Sequence, residues 1–241
     1  ACIHRLQRSN LLITMPTGRH PSWRYHRLLR EFLQRRALAD WPTDRLHAHQ
    51  AHCAGCLDDA GLPEQAAGLL VQAQHWPALV QLLLRHAASL LREGRYLTLA
   101  GWAQALPDDQ RTPWVHHWWA AALLAQDPRQ GMQRHAIAFD GFWAAGDADG
   151  LYRSWCGVVE GITYACDDYG ALDDWLHRLR QLRERFPRYP SPLVAAQVTV
   201  YGFSASFFLE PNAAEFPRWL RNVQRLHRFA LRRADRAAIG G

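Results

Sequence analysis

The sequence predicts an all-α protein, an antiparallel helical-hairpin solenoid preceded by a short N-terminal β-hairpin. Three observations lead there. Helix-ending pairs recur at Asp127-Pro128, Asp168-Tyr169 and Glu210-Pro211, spaced 41 and 42 residues apart, and the helices that follow end near Gly146, Pro187 and Arg233. Apolar residues through most of the chain step by three and four, the period of a helix with one packed face. Near the N-terminus, by contrast, the apolar run Leu11-Leu12-Ile13 meets the turn-rich stretch 15–21, after which Trp23 and Tyr25 alternate with polar neighbours, as strand, turn and strand would. A helical pair recurring at a fixed period cannot cover its own apolar face, so it stacks on the next pair.

The first helix is expected over residues 23–38, where Leu28, Leu29, Phe32 and Leu33 share a face for packing while Arg27, Arg30, Glu31 and Gln34 meet water. Pro42 disfavours helix at Trp41, and Thr43 is an N-cap candidate for a second helix over 44–60, stopped by Gly61. Pro63 suits the first turn of a third helix, whose face is Ala66, Leu69, Leu70 and Ala73. The triplet His75-Trp76-Pro77 reads as a break. A long helix over 78–92 then packs through Leu79, Leu82, Leu83, His86 and Leu90 and ends at Gly94; residues 96–106 complete that pair before Pro107. Three further hairpins fill 113–233. The expected domains are 1–39, a linking stretch 40–107, and the repeats 108–241.

Two motifs carry a family resemblance. The stretch Arg24-Tyr25-His26-x-Leu28-Leu29-x-Glu31-Phe32-Leu33 resembles the signature that closes the winged-helix domain of large ATP-dependent bacterial transcriptional regulators of the maltose-activator type, signal-transducing NTPases of the STAND class. Ser22 replaces the first of two aromatics that usually precede the Arg, and Trp23 supplies the second. Downstream, Leu90-Leu91-x-x-Gly94-x-x-x-x-Leu99-x-x-Trp102-x-x-x-Leu106-Pro107 is similar to the motif opening the superhelical domain of the same family. The resemblance implies that 1–39 is the C-terminal part of a winged helix, that Arg24, Tyr25, His26, Leu28, Glu31 and Phe32 are structural, and that the hairpins after 108 are tetratricopeptide-like. It further implies ATP in an N-terminal domain of the parent, self-association there, and DNA contact only through a separate domain such as a LuxR-type helix-turn-helix.

Composition sets the exclusions. All 28 basic residues are Arg, which removes the Walker A lysine and any Schiff-base lysine from this chain. The net charge of +6 comes without a long basic block, an argument against non-specific nucleic-acid binding. Five cysteines, an odd number, without a targeting signal fit reduced thiols and a cytoplasmic location. Since the chain opens on Ala1-Cys2 with no start Met, it reads as a fragment. The apolar run 193–209 is interrupted by Gln197, Thr199, Ser204 and Ser206, so a buried repeat helix is expected there and not a membrane span.

Candidate sites are few. His47, His49, His52, Cys53 and Cys56 lie at spacings that put three soft ligands on one helical face, a geometry zinc accepts, but no second cluster closes the site; the favoured reading is a packed helix and no metal. Asp167-Asp168 and Asp173-Asp174 suit the start of a helix, where the dipole favours acids. With no nucleophile, phosphate-loop or zinc-protease motif, no catalytic residue and no enzyme activity is expected. The eleven Trp are more suggestive, and Trp114, Trp118, Trp155 and Tyr201 are the candidates for a ligand groove. Arg218, Arg221, Arg225, Arg228, Arg232 and Arg236 step along one stripe opposite Trp219, Val223, Leu226 and Ala230, a candidate surface for an acidic partner; Arg178, Arg180, Arg183, Arg185 and Arg188 form a looser basic set. The expected role is the sensor and oligomerisation region of a transcriptional regulator, binding a small-molecule inducer or a regulatory protein. The competing expectation is a stand-alone helical-repeat scaffold for protein binding.

Overall fold

The computed structural model describes residues 13–14, 24–166, 168–209 and 216–239, with side chains over 26–166, 168–209 and 216–228. Among the described residues there are eleven α-helices, in two compact units, 1–75 and 76–241. The division falls inside the 40–107 stretch.

In the first unit, β1 (Ile13–Thr14) pairs antiparallel with β2 (Arg24–Tyr25), Ile13 opposite Tyr25. The expected turn between them, and with it the wing-like hairpin, lies outside the described residues. Helix α1 (Arg27–Asp40) begins four residues later than the sequence pattern placed it, because the His26 ring caps it by accepting from the Leu28 N–H at 3.4 Å. Its expected packed face is not buried: Leu28 is 65% exposed and Phe32 57%. The seam is therefore not a core. Its touching neighbour is α2 (Thr43–Asp59), where Pro42 takes the cap position and Thr43 is already helical and caps nothing. The α2 helix ends at Gly61, whose φ of +75° suits a residue without a Cβ. Helix α3 (Pro63–Gln72) starts on its proline as expected and lies close along α2, with Ala54, Ala66, Ala67 and Leu70 buried.

The second unit opens with α4 (Trp76–Arg92). Trp76-Pro77 does not break this helix but starts it, since a proline in the first turn lacks an N–H that has no partner anyway. Then come α5 (Tyr96–Ala105), a single 3-10 turn (Asp108–Gln110) and three hairpins. These are α6 (Pro113–Leu123) with α7 (Pro128–Ala145), α8 (Ala148–Ala165) with α9 (Ala171–Arg185), and α10 (Pro192–Leu209) with α11 (Phe216–Ile239). The caps explain the punctuation. Thr112 accepts from the Val115 N–H, Asp127 from Gln130 and Asp147 from Gly150, each ahead of a helix, and Gly146 at φ +72° closes α7. First helices end at Leu123, Ala165 and Leu209, so the repeat in the ends is present. The starts do not repeat, because α6 has 11 residues where α8 and α10 have 18, and α11 runs to Ile239, past the expected Arg233.

Each of these helices touches its neighbours in sequence, and α4, α6, α8 and α10 also touch one after another, so the unit is a stack of antiparallel pairs. Helix α8 sits at its centre. Leu151, Tyr152, Trp155, Val158, Val159 and Ile162 are all buried, covering more than one face, as befits a helix enclosed by α7, α9 and α10. Helix α10 is long and apolar enough by length and composition to cross a membrane, yet it packs on α8 and α11. The expectation of a buried helix holds for one side, through Val194, Val198 and Ala205; Leu193, Val200 and Phe207, seven residues apart, are exposed on the other.

Candidate functional site

The aromatics divide into a core and a rim. Trp155 is fully buried, its indole N–H donating to the Trp175 carbonyl at 2.6 Å. Beside it Tyr152 is equally buried and donates to the Phe186 carbonyl at 2.7 Å; burial and the neighbouring Tyr189 push its phenol up to about 12. Trp114 is half-buried, donates to Asp147 Oδ2 at 3.0 Å and meets Phe142 edge-on. Because Asp147 also caps α8 through its other oxygen, one carboxylate fixes both the helix and the indole. Trp118 leans on Trp114 with ring centroids 6.5 Å apart. On α10, the Tyr201 hydroxyl is raised by burial and by the Glu160 carboxylate of α8. Of the four proposed groove residues, then, Trp155 is enclosed, Trp114 and Trp118 adjoin, and Tyr201 belongs with Glu160.

A buried polar cluster lies among them that the sequence pattern did not single out. His117, His135 and Ser154 are 7%, 1% and 0% exposed, the two imidazoles 5.0 Å apart and Ser154 Oγ 3.4 Å from His117 Nδ1. Burial holds His117 neutral, its pKa lowered to about 3 with Arg153 adding to the effect, and pushes His135 well below the ordinary range. The available signal was Gly157, a glycine inside a helix: a Cβ there would lie 2.3 Å from His135 Nε2.

One concave feature of the second unit is basic. A cavity of about 300 Å³ between the end of α9, the middle of α10 and the start of α11 is lined by Arg183, Tyr189, Thr199, Arg218, Trp219 and Asn222. Arg183 donates through Nε and Nη2 to the Tyr189 hydroxyl oxygen at 3.1 and 2.6 Å, and its guanidinium stacks 4.7 Å above the Trp219 ring. Trp219 in turn lies against bare backbone, since a Cβ on Gly202 would fall 2.4 Å from it. The arginine stripe therefore splits: Arg218 faces this cavity, Arg221, Arg225 and Arg228 are exposed, and Arg232 and Arg236 lie outside the described side chains. The looser basic set on α9 splits likewise. Arg178 bonds Asp140 at 3.2 Å and Arg185 the Trp143 carbonyl at 3.3 Å, both tying α9 to α7.

The remaining candidates are local. On α2, Cys53 Sγ lies 3.6 Å from His49 Nε2 and Cys56 Sγ 3.9 Å from His52 Nε2, two separate pairs one turn apart, and no group of three ligands converges among the described residues. Asp173 and Asp174 stand in the first turn of α9, and Asp168 accepts from the Gly170 N–H at 2.8 Å; Asp167 lies outside the described residues. In the family motif, Glu31 accepts from Arg27 at 2.7 Å, an exposed helical pair.

In comparison with known proteins, the family profile of the MalT winged helix domain matches residues 1–45. It takes in the Arg24-Tyr25-His26 motif and the first residues of α2, and supports a fragment of a MalT-like regulator. No curated protein and no solved structure matches the chain.

Proposed function

We propose that the chain is the sensor and oligomerisation region of a transcriptional regulator of the MalT type: the close of a winged helix, then a tetratricopeptide-like solenoid that receives an inducer or a regulatory protein. The observation that carries this reading is the winged-helix match over residues 1–45, which coincides with the motif from Arg24 to Leu33 and is followed, in order, by the second motif in α4 and α5. The stacking of α4, α6, α8 and α10 supports the solenoid half of it. A regulator of this class couples ligand to an ATP-dependent switch. Without a lysine for a phosphate loop, this chain leaves that switch to a domain elsewhere in the parent. Coupling then requires that the ligand bind one state of the repeat unit better than another. The role in transcription would be exerted from the cytoplasm, through a DNA-binding domain outside these residues.

The DNA flanking the reading frame tests this directly. A G-x-x-x-x-G-K-[ST] loop encoded upstream and a helix-turn-helix downstream are expected; a start codon and stop codon immediately bounding the frame would overturn it. In that case the exposed Leu193, Val200 and Phe207 row on α10 favours the second reading, a free-standing scaffold that binds proteins.

A further inference from the structure

The cavity between α9, α10 and α11 has a chemistry that neither the family match nor the aromatic groove accounts for. Two guanidinium groups, Arg183 and Arg218, line it together, and no carboxylate lines it among the described residues. Like charges held beside one cavity repel each other, and a bound anion relieves that repulsion. Arg183 is not free to turn away. Two bonds to the Tyr189 hydroxyl and the Trp219 ring beneath fix its plane, and Trp219 is fixed by the bare backbone of Gly202. Since the Tyr189 oxygen already accepts twice, its own O–H is left to donate. Asn222 adds an amide, and the Thr199 hydroxyl, which donates to the Ala195 carbonyl at 2.7 Å, keeps lone pairs for a hydroxyl donor.

We infer that this cavity binds a small polar phosphomonoester, its dianionic head held between Arg183 and Arg218 and its organic part reaching toward Thr199 and Asn222. Two positive charges, that of Arg183 held in place and that of Arg218 on the exposed rim, match a phosphomonoester dianion, and planar guanidinium forks suit its oxygens. At about 300 Å³ the cavity is at the small end of metabolite sites and roomier than a bare oxyanion requires. Stacking of a ligand ring is not part of the site, because one face of Trp219 is taken by Arg183 and the indole is only 4% exposed. The inference stands on the second unit alone and does not depend on the regulator reading.

The test is calorimetric titration of the whole 241-residue chain with glycerol 3-phosphate, inorganic phosphate and glycerol at constant ionic strength. Saturable binding of glycerol 3-phosphate is expected, weaker for inorganic phosphate and absent for glycerol. Arg218→Gln, at an exposed position that supports no core contact, is expected to weaken it about tenfold or more, the loss of one charge-assisted contact. Arg92→Gln on α4 removes the same charge elsewhere in the unit and is expected to leave affinity unchanged. Equal losses in both variants would reduce the effect to net charge and overturn the site, as would failure of either phosphate to bind. Inorganic phosphate binding as tightly as glycerol 3-phosphate would overturn the esterified ligand. A flanking-sequence result that removes the regulator reading would leave these affinities unaltered.

Discussion

Gly157 and His135 are in contact with no side chain between them: the imidazole of α7 lies flat against the backbone of α8, filling the space a Cβ would need 2.3 Å from Nε2. Helix α8 can lie this close to α7 because the residue there is glycine. Gly157→Ala should therefore destabilise the second unit by about 1–3 kcal/mol through overpacking, despite the better helix propensity of alanine. Urea denaturation measures it, and an alanine variant as stable as the parent chain would mean that the helices can part at no cost.

Acid should weaken the same region. Unfolded, both histidines titrate near 6.5; folded, His117 stays neutral down to about 3 and His135 is also held well below its ordinary value. Between those limits the unfolded chain binds more protons, so stability falls as pH falls, by about 1.4 kcal/mol per unit for each imidazole. Melting temperatures recorded between about pH 7.5 and about pH 5 should decline, and His117→Gln should flatten the decline. An unchanged slope in that variant would sink the assignment.

Trp155 and Trp118 should part company on substitution. Trp155→Ala removes a fully buried indole together with the hydrogen bond it donates to the Trp175 carbonyl, a loss of about 3–5 kcal/mol. Trp118→Ala, at the half-buried rim, should unfold nothing and serves to test the groove. If an inducer that quenches tryptophan fluorescence binds the variant as well as the parent chain, the groove lies elsewhere.

The His-Cys pairs of α2 should not retain zinc. His49 with Cys53 and His52 with Cys56 form two pairs, and a structural zinc site needs four converging ligands. Metal analysis of the purified chain should find far less than one equivalent, and stoichiometric zinc lost on replacing Cys56 with Ser would show otherwise.

Several features were legible because they are local. A proline's missing N–H and a glycine's freedom at positive φ act within one turn, so Pro63, Pro113, Pro128, Gly94 and Gly146 punctuate the helices where the sequence puts them. Trp76-Pro77 misled for the same kind of reason: proline breaks a helix interior but opens a first turn, and the neighbouring residues do not say which applies. Helical spacing made an apolar face visible on α1 without saying whether anything covers it, and Phe32 stands exposed.

Periodicity and capping chemistry by themselves determined the all-helical class and the three hairpins after Pro113, while the motif from Arg24 to Leu33 pointed by resemblance to the close of a winged helix, which the profile match over residues 1–45 supports. Only the tertiary structure decided which aromatics are core and which arginines meet. Trp155 and Trp118 stand on helices that look equally aromatic, and Arg183 and Arg218 are 35 positions apart on helices joined through α10. Burial and the pairing of charges are set by what packs from other parts of the chain, and contacts between helices depend on distances in space that residue spacing does not encode.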